Sequence, residues 1–323
     1  MTNKRDHGGD LAQAIAQFGG KPNDWIDLST GINRIPHPIG QIDTAAWRNL
    51  PGSSERNALI QAARTAYQTN WPLLPLAGAQ AAIQLIPQCL PKGQARILGP
   101  TYNEFEGALL TFGWNVEIVA SIDALEGSDL AIVVNPNNPT GHTIEPDRLL
   151  TLASSVGTLL VDESFADATP EFSVLRGTQP GNVLVLRSFG KFFGLAGIRL
   201  GFLAGDAAIL EKANAIAGPW SVSGPALEIG ARALANQDWQ TSTRLRLAED
   251  RDRMKKIGMS KGWMLIGNTH LFALFETPKA AEAQRKLAQA HIWSRVFPYS
   301  KTWLRLGYPG TKDEWNRIEE AIA

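Results

Sequence analysis

A lysine in an unusual setting is the first candidate for chemistry in this sequence. Lys191 lies within Ser188–Gly201, which reads SFGKFFGLAGIRLG, in a turn that follows one apolar stretch and precedes another. Burial lowers the pKa of a lysine, and its neutral amine can form a Schiff base with an aldehyde. A charged residue in a loop between two strands would give the same pattern, so this segment alone leaves both interpretations open.

Two other segments place polar side chains directly after apolar stretches. In Asn135–Gly141, which reads NPNNPTG, the amide of Asn138 could face a ligand, although the same residues form turns that bind nothing. Asp162 and Glu163 follow another apolar stretch. An acid at the carboxyl end of a parallel strand lies where open α/β sheets bind ligands, and the alternative is a helix cap or a surface acid.

A glycine precedes a predicted helix in Leu76–Ala82, which reads LAGAQAA. The first N–H groups of a helix have no intrahelical acceptor, so they can bind a phosphate. Glycines before helices are common, and this segment is a weak indication by itself.

The elements that must position these residues alternate along the chain. Short apolar stretches occur at 96–98, 116–120, 130–134, 158–161, 183–186 and 198–202, with helical patterns such as Glu104–Phe112 and Pro146–Ser155 between them. This alternation predicts an α/β fold in which helices cover both faces of a mostly parallel sheet. We expect an N-terminal segment at 1–45, a large α/β domain at 46–215 and a smaller α/β domain at 216–323. In the smaller domain, the sequence predicts strands at 269–275 and 292–297.

Composition excludes several classes of protein. The 31 basic and 31 acidic residues cancel, which argues against a nucleic-acid surface, and no apolar stretch is long enough to span a membrane. The N-terminus lacks the apolar core of a secretory signal, which favours a cytoplasmic location. The single cysteine, Cys89, has no partner at metal-ligand spacing, so we expect neither a disulfide nor a metal site.

Taken together and in this order, the four segments resemble the fold type I pyridoxal-phosphate enzymes, the aspartate-aminotransferase superfamily of class I/II. The resemblance covers nearly the whole chain. It implies pyridoxal 5'-phosphate as cofactor, a mostly parallel seven-stranded sheet between helices, a smaller C-terminal α/β domain and a homodimer. It also implies that Lys191 binds the cofactor and moves protons at the substrate Cα.

The resemblance assigns further cofactor contacts. Asp162 would pair with the pyridine nitrogen, Asn138 would hydrogen-bond the 3-oxygen, and Tyr102 would stack on the ring unless it is a core tyrosine. The cofactor phosphate would be bound by Gly78, Ala79, Gln80, Ser188 and Arg199. Two positions depart from the family pattern, because Phe165 and Leu50 stand where many relatives have tyrosine.

Within the superfamily, the sequence most resembles the threonine-phosphate decarboxylases of cobalamin biosynthesis, which are similar to histidinol-phosphate aminotransferases. The segments that carry this resemblance are HGGD at 7–10, DLSTGIN at 27–33, PWSVS at 219–223, IWSRVF at 292–297 and WLRLG at 303–307. Gly31 departs from the subfamily pattern, in which an asparagine stands two positions before Asn33.

This closer resemblance implies a substrate site for an anionic amino-acid phosphate. Arg305 and Asn138 would bind the carboxylate, and Arg295 and His7 the phosphate, with Gly8 and Asn33 as further contacts. His7 could instead be disordered near the terminus, Arg295 could be an exposed strand residue, and Asn33 and Trp220 could be structural.

The expected reaction is decarboxylation of L-threonine O-3-phosphate to (R)-1-amino-2-propanol O-2-phosphate, the linker precursor of the cobalamin nucleotide loop. One alternative is an aminotransferase that acts on histidinol phosphate or a related phosphorylated amine. An alternative of another class is a non-catalytic component of the step that attaches aminopropanol.

Overall fold

The computed structural model describes residues 7–322, which divide into two compact units. The large unit contains His37–Asn138 and Thr143–Ser242. The small unit contains the described residues up to Pro36, the segment Pro139–His142, and the described residues from Thr243 onward. Among the described residues, no helix is both long and apolar enough to cross a membrane, and the cytoplasmic location stays a prediction.

The strands are numbered along the chain. They are β1 (Ile26–Asp27), β2 (Leu73–Leu76), β3 (Gln94–Leu98), β4 (Asn115–Val119), β5 (Leu130–Val134), β6 (Thr158–Asp162), β7 (Val183–Ser188), β8 (Gly201–Ala204), β9 (Met264–Asn268), β10 (Phe272–Glu276), β11 (Ile292–Trp293), β12 (Arg295–Phe297) and β13 (Ser300–Gly307).

The α-helices are numbered in the same way. They are α1 (Leu11–Phe18), α2 (Thr44–Arg48), α3 (Ser53–Tyr67), α4 (Ala79–Cys89), α5 (Glu104–Thr111), α6 (Pro146–Ala153), α7 (Phe189–Phe192), α8 (Ala207–Ala217), α9 (Gly224–Ala235), α10 (Gln237–Ser260), α11 (Ala280–Gln289) and α12 (Lys312–Ile322).

The large unit is built on a seven-stranded sheet with the order β2-β8-β7-β6-β5-β3-β4. Only β8 runs antiparallel to its neighbours in this sheet. Every residue of β5 is buried, as are nearly all residues of β6 and β7, which is typical of a parallel sheet covered on both faces. The predicted mostly parallel, seven-stranded α/β fold is therefore confirmed.

Helices cover the two faces of this sheet with apolar side chains. On one face, Ile83 of α4, Phe105 of α5 and Leu210 of α8 pack in one core with Leu160 and Leu184 of the sheet. On the other face, Tyr67 of α3 packs edge-on against Phe202 of β8. Burial of these side chains supplies the main driving force that fixes the strands, and hence the side chains at their ends.

The small unit has a four-stranded antiparallel sheet with the order β12-β13-β10-β9, and β1 pairs in parallel with β11. Leu304 and Leu306 of β13, Phe275 of β10 and Trp315 of α12 form part of its core. The contacts place α9 in the large unit, although the sequence suggests a small domain that begins at residue 216. The domain boundaries stay a prediction.

Several predicted strands begin or end at other residues. The strand predicted at 198–202 is β8, which begins at Gly201 because Arg199 adopts a left-handed φ of 56° that ends the preceding turn. The strand predicted at 269–275 is β10, which begins at Phe272 because Thr269 forms a turn. The hydroxyl oxygen of Thr269 accepts hydrogen bonds from the N–H groups of Leu271 and Phe272. The stretch predicted at 292–297 is two short strands, β11 and β12.

Candidate active site

The polar residues singled out in the sequence lie at one edge of the large sheet. Asp162 and Ser188 are the last residues of the neighbouring parallel strands β6 and β7. Asn138 lies in the turn after β5, where the N–H of Asn135 donates to the carbonyl of Asp162 at 2.8 Å. Ligands of open α/β sheets bind at this carboxyl edge.

The Asn135 turn is held by its own side chains. The Asn135 amide pairs with both the N–H and the carbonyl of Ile144. Asn137 accepts a hydrogen bond from Thr101 Oγ1 at 2.7 Å and donates to the Pro100 carbonyl. The turn that carries Asn138 is therefore joined to the segment that carries Tyr102.

Asp162 is a buried carboxylate in contact with few donors. Its Oδ1 accepts the N–H of Ser164 at 2.9 Å. Burial raises the pKa of Asp162 above the ordinary carboxyl value, and the hydrogen bonds from Ser164 and the charge of Lys191 act in the opposite direction. A further cation next to this carboxylate, such as a protonated ring nitrogen, would favour its ionised form.

Lys191 is half-buried on α7, a single helical turn that follows β7 directly. Aromatic packing fixes this turn, since the rings of Phe189 and Phe193 stack at 4.3 Å and Phe193 stacks on Trp239 at 5.6 Å. The Nζ of Lys191 lies 5.1 Å from the ring centroid of Phe165. The position at which the family resemblance implies a tyrosine thus presents the aromatic face of Phe165 to the lysine.

The N-terminus of α4 and Arg199 lie together beyond the sheet edge. Gly78 caps α4 with a positive φ of 82°, and a Cβ at this position would lie 2.6 Å from Nη2 of Arg199. Ser188 and Gly201 are partners on β7 and β8, and a Cβ on Gly201 would lie 2.5 Å from the Ala79 nitrogen. Because Gly78 and Gly201 have no Cβ, Arg199 can lie against the first turn of α4, and β8 can lie against the Ala79 nitrogen.

Gln80 has a side-chain role that the sequence analysis missed. Its Oε1 accepts the hydroxyl of Tyr102 at 3.2 Å, and its Nε2 donates to Oε2 of Glu104 at 2.8 Å. Glu104 is buried in the first turn of α5. The sequence signal for this arrangement is slight, because an acid in the first turn of a helix is ordinary.

A buried ion cluster was also not predicted from the sequence. Arg187 donates to Oε2 of Glu163 at 2.8 Å and to Oδ1 of Asp167 at 2.6 Å, and all three side chains are buried. Burial lowers the pKa of Arg187, but the two carboxylates raise it by more. The guanidinium group therefore stays charged. The signal in the sequence is a single charged residue inside the apolar stretch VLVLRS.

The small unit brings the two predicted substrate arginines together. Arg295 of β12 and Arg305 of β13 are direct partners across the antiparallel ladder. Both guanidinium groups lie near the ring of Phe297, at 5.5 Å and 5.9 Å from its centroid. Burial and the neighbouring Arg295 lower the pKa of Arg305 to about 10.

The N-terminal segment reaches the same region of the small unit through Ser29. The Ser29 carbonyl accepts a hydrogen bond from Nη2 of Arg305 at 2.8 Å, and its Oγ accepts the N–H of Gly9. A Cβ on Gly8 would lie 2.5 Å from the same carbonyl oxygen, so only glycine fits there. His7 is exposed at the beginning of the described chain.

Three other residues from the sequence analysis have clear environments. Asn33 is buried, and its Oδ1 accepts hydrogen bonds from Nη2 of Arg246 and from the N–H of Ile35. The side-chain amide oxygen of Asn33 thus already accepts two hydrogen bonds within the small unit. Trp220 and Leu50 of the large unit are exposed. The substrate roles of Asn33, His7 and Gly8 stay predictions.

The residues at the large sheet's edge fit pyridoxal phosphate by their chemistry. Lys191 offers an amine for the aldehyde, and the buried carboxylate of Asp162 suits the ring nitrogen. The α4 N-terminus, Ser188 and Arg199 supply backbone, hydroxyl and guanidinium donors for a phosphate. The space that the missing Cβ of Gly78 leaves is next to these donors.

Known proteins match this chain along most of its length. The sequence profile of the family described as "Aminotransferase class I and II" matches residues 54–322. A threonine-phosphate decarboxylase of Sinorhizobium sp is 43% identical over 98% of this chain and 97% of the relative. A threonine-phosphate decarboxylase of Pseudomonas aeruginosa is 37% identical over 98% of this chain and 97% of the relative.

A solved structure shares the fold. The histidinol-phosphate aminotransferase of Sinorhizobium meliloti, crystallised with pyridoxal-5'-phosphate, superposes with a TM-score of 0.83 at 20% identity, over 97% of this chain and 94% of the other. The family match covers most of the chain, and the two curated relatives align along nearly all of it. The chain therefore belongs to the aminotransferase class I and II family.

Proposed function

We propose that this chain is a pyridoxal-phosphate-dependent lyase that decarboxylates L-threonine O-3-phosphate to (R)-1-amino-2-propanol O-2-phosphate. The observation that carries the proposal is the convergence of Lys191, buried Asp162 and the α4 N-terminus at one sheet edge. The two relatives named threonine-phosphate decarboxylase, which align along nearly the whole chain, support the choice of reaction.

Bound pyridoxal phosphate supplies an electron-accepting ring, which stabilises the negative charge left on the substrate Cα when carbon dioxide departs. Lys191 would hold the aldehyde group through its amine, and the same amine, once free, would donate a proton to the substrate Cα. Asp162 would hold a proton at the ring nitrogen, because a buried carboxylate is stabilised by a cationic partner. Asn138 would donate its amide hydrogen to the 3-oxygen of the ring.

The remaining residues of the large unit hold the cofactor in place. Tyr102 would stack on the ring, and Gln80 orients the tyrosine by accepting a hydrogen bond from its hydroxyl group. The N–H groups of Ala79 and Gln80, together with Ser188 and Arg199, would bind the phosphate. These contacts position the reacting carbon, which is where much of an enzyme's rate acceleration originates.

The arginine pair of the small unit suits the substrate's two anionic groups. L-threonine O-3-phosphate carries a phosphate and a carboxylate on one short skeleton, and guanidinium groups bind both bidentately. Arg295 and Arg305 face each other across two strands as like charges, which is unfavourable until an anion lies near them. We assign the phosphate to Arg295 and the carboxylate to Arg305.

The chain is also proposed to form a homodimer, as enzymes with this fold commonly do. Trp47, Leu50 and Trp220 are large apolar side chains of the large unit that are more than half exposed. A subunit interface would remove such surface from water. Light scattering at working concentration should give twice the chain mass, and a monomeric mass contradicts this part of the proposal.

The decarboxylation is tested with purified protein, pyridoxal phosphate and L-threonine O-3-phosphate, without any keto acid. Carbon dioxide should be released through many turnovers, and Lys191→Ala should release none above background. Turnover that requires a keto acid, with conversion of the cofactor to its pyridoxamine form, would instead establish an aminotransferase. Histidinol phosphate is the comparison substrate for that outcome.

A further inference from the structure

The ion cluster of Glu163, Asp167 and Arg187 is a costly feature that the proposed chemistry does not use. Each of the three side chains is at most 5% exposed. Glu163 also accepts hydrogen bonds from Ser173 Oγ at 2.5 Å and from the N–H of Val174 at 2.7 Å. Burying three charges is unfavourable even when they are paired. Replacing such a cluster by apolar side chains of similar volume often leaves the free energy of unfolding unchanged or raises it.

The cluster lies beside the two strand ends that carry cofactor contacts. Glu163 directly follows Asp162, and Arg187 directly precedes Ser188. Because successive side chains of a strand point to opposite faces, Arg187 and the ion pair that it forms lie on the face of β7 opposite to Ser188. The N–H of Glu163 also donates to the Leu186 carbonyl at 2.8 Å, which continues the pairing of β6 and β7 to their ends.

The surroundings of the cluster leave it little freedom to move. Arg187 Cζ lies 4.2 Å from the ring centroid of Tyr67, which is itself buried on α3. Asp167 belongs to a short turn of buried residues at 166–168, so the second carboxylate anchors the chain that leaves β6. The planar guanidinium thus connects β7 to two points of the segment after β6.

We propose that Glu163, Arg187 and Asp167 are positioning residues that fix the spacing between Asp162 and Ser188. This inference rests on the proposed function, in which Asp162 meets the ring nitrogen and Ser188 meets the phosphate of the same cofactor. A rigid cofactor can satisfy both contacts only if the ends of β6 and β7 keep one separation. A displacement of about 1 Å in an active site can lower the catalytic rate by about a hundredfold.

The test compares a neutralised cluster with a matched destabilised control. The triple variant Glu163→Gln, Arg187→Met, Asp167→Asn removes every charge and leaves none buried without a partner. The single variant Arg187→Lys keeps the charge but loses the planar fork that spans both carboxylates. The control is Val185→Ala, which removes packing from a fully buried position of the same strand, on the same face, and leaves the cluster intact.

Three quantities are measured for each protein: the Tm without cofactor, the Kd for pyridoxal phosphate from quenching of tryptophan fluorescence, and the visible absorbance of bound cofactor against pH. We expect the triple variant and Arg187→Lys to bind the cofactor about tenfold to a hundredfold more weakly. We also expect the midpoint of their absorbance change to shift in pH. Val185→Ala should have a lower Tm, with its Kd within a few-fold of the wild type and an unshifted midpoint.

Other outcomes overturn the inference. If Arg187→Lys or the triple variant binds pyridoxal phosphate like the wild type with an unshifted midpoint, the cluster is only structural. If every variant, Val185→Ala included, loses affinity in proportion to its fall in Tm, stability explains the effect and positioning does not. A wild-type protein that binds no pyridoxal phosphate would overturn the proposed function, and the inference with it.

Discussion

The guanidinium group of Arg199 lies directly against Gly78, at the first turn of α4. A Cβ at position 78 would lie 2.6 Å from Nη2 and 3.2 Å from Cζ of that arginine. Both residues have a positive φ, 82° for Gly78 and 56° for Arg199. The cation and the N-terminus of the helix thus face the same space, and their positive potentials add where the cofactor phosphate is proposed to bind.

Gly78→Ala should weaken the binding of pyridoxal phosphate by about tenfold or more, because the new methyl group displaces Arg199 and costs a charge-assisted hydrogen bond. The dissociation constant is measured by fluorescence quenching. Gly197→Ala is the matched control, since it lies two residues before Arg199 and a Cβ there meets no atom within 4 Å. Equal affinity of both variants and the wild type would contradict the phosphate assignment.

Asp162→Asn should lower kcat by about a hundredfold to a thousandfold, the range expected when one buried electrostatic partner of the reacting system is removed. The side chain keeps its size and its acceptor for the N–H of Ser164. Single-turnover release of carbon dioxide measures the effect. A variant with nearly unchanged kcat would show that the ring nitrogen needs no acid at this position.

The same substitution should change how stability depends on pH in the absence of cofactor. Burial raises the pKa of Asp162, so the folded protein keeps that proton to a higher pH than the unfolded chain does. Folding therefore loses stability as the pH rises from the ordinary carboxyl pKa to the raised one. The Tm of Asp162→Asn minus that of the wild type should increase over this interval. Parallel Tm curves would show that Asp162 is not perturbed.

The arginine pair should bind inorganic phosphate in the cofactor-loaded protein, in which the α4 site is already filled. Phosphate at about a hundred times its Kd would stabilise the wild type by about 2.7 kcal/mol. Arg295→Gln should lose most of the resulting rise in Tm, whereas Arg148→Gln, an exposed arginine of the large unit, should keep it. The same rise in all three proteins would place phosphate elsewhere.

Tyr102 should act mainly through its ring. Tyr102→Ala should weaken pyridoxal-phosphate binding by about tenfold, because it loses the stacking surface. Tyr102→Phe keeps the ring and loses only the hydrogen bond to Gln80, so its Kd should change by a few-fold at most. Equal losses in the two variants would show that the hydroxyl, and not the ring, carries the contact.

The sequence predicted the large sheet well because its strands are buried on both faces. Continuous apolar stretches such as 130–134 have no other simple explanation, and a polar residue that ends such a stretch marks the carboxyl edge. The positions of Asp162 and Lys191, each just after an apolar stretch, could therefore be predicted from local pattern, whereas their roles, and that of Ser188, were implied only by the family resemblance. β2 has only four residues, and one of them is Pro75, so its pattern was too short to recognise.

Contacts between distant side chains were not predictable in this way. Arg187 pairs with partners 20 and 24 positions away, and nothing in the local pattern says which carboxylates it meets. The link from Gln80 to Glu104 spans 24 positions and depends on how α4 and α5 pack. Arg295 and Arg305 were both selected by resemblance, but their direct pairing follows from the register of β12 and β13.

The central claim, that Lys191 binds pyridoxal phosphate at this sheet edge, is tested most directly by chemical trapping. The cofactor-loaded protein is reduced with borohydride, digested and examined by mass spectrometry. The peptide that contains Lys191 should carry one phosphopyridoxyl group per chain, and Lys191→Ala should carry none. Modification spread over surface lysines, or an unmodified Lys191 in the wild type, would contradict the account.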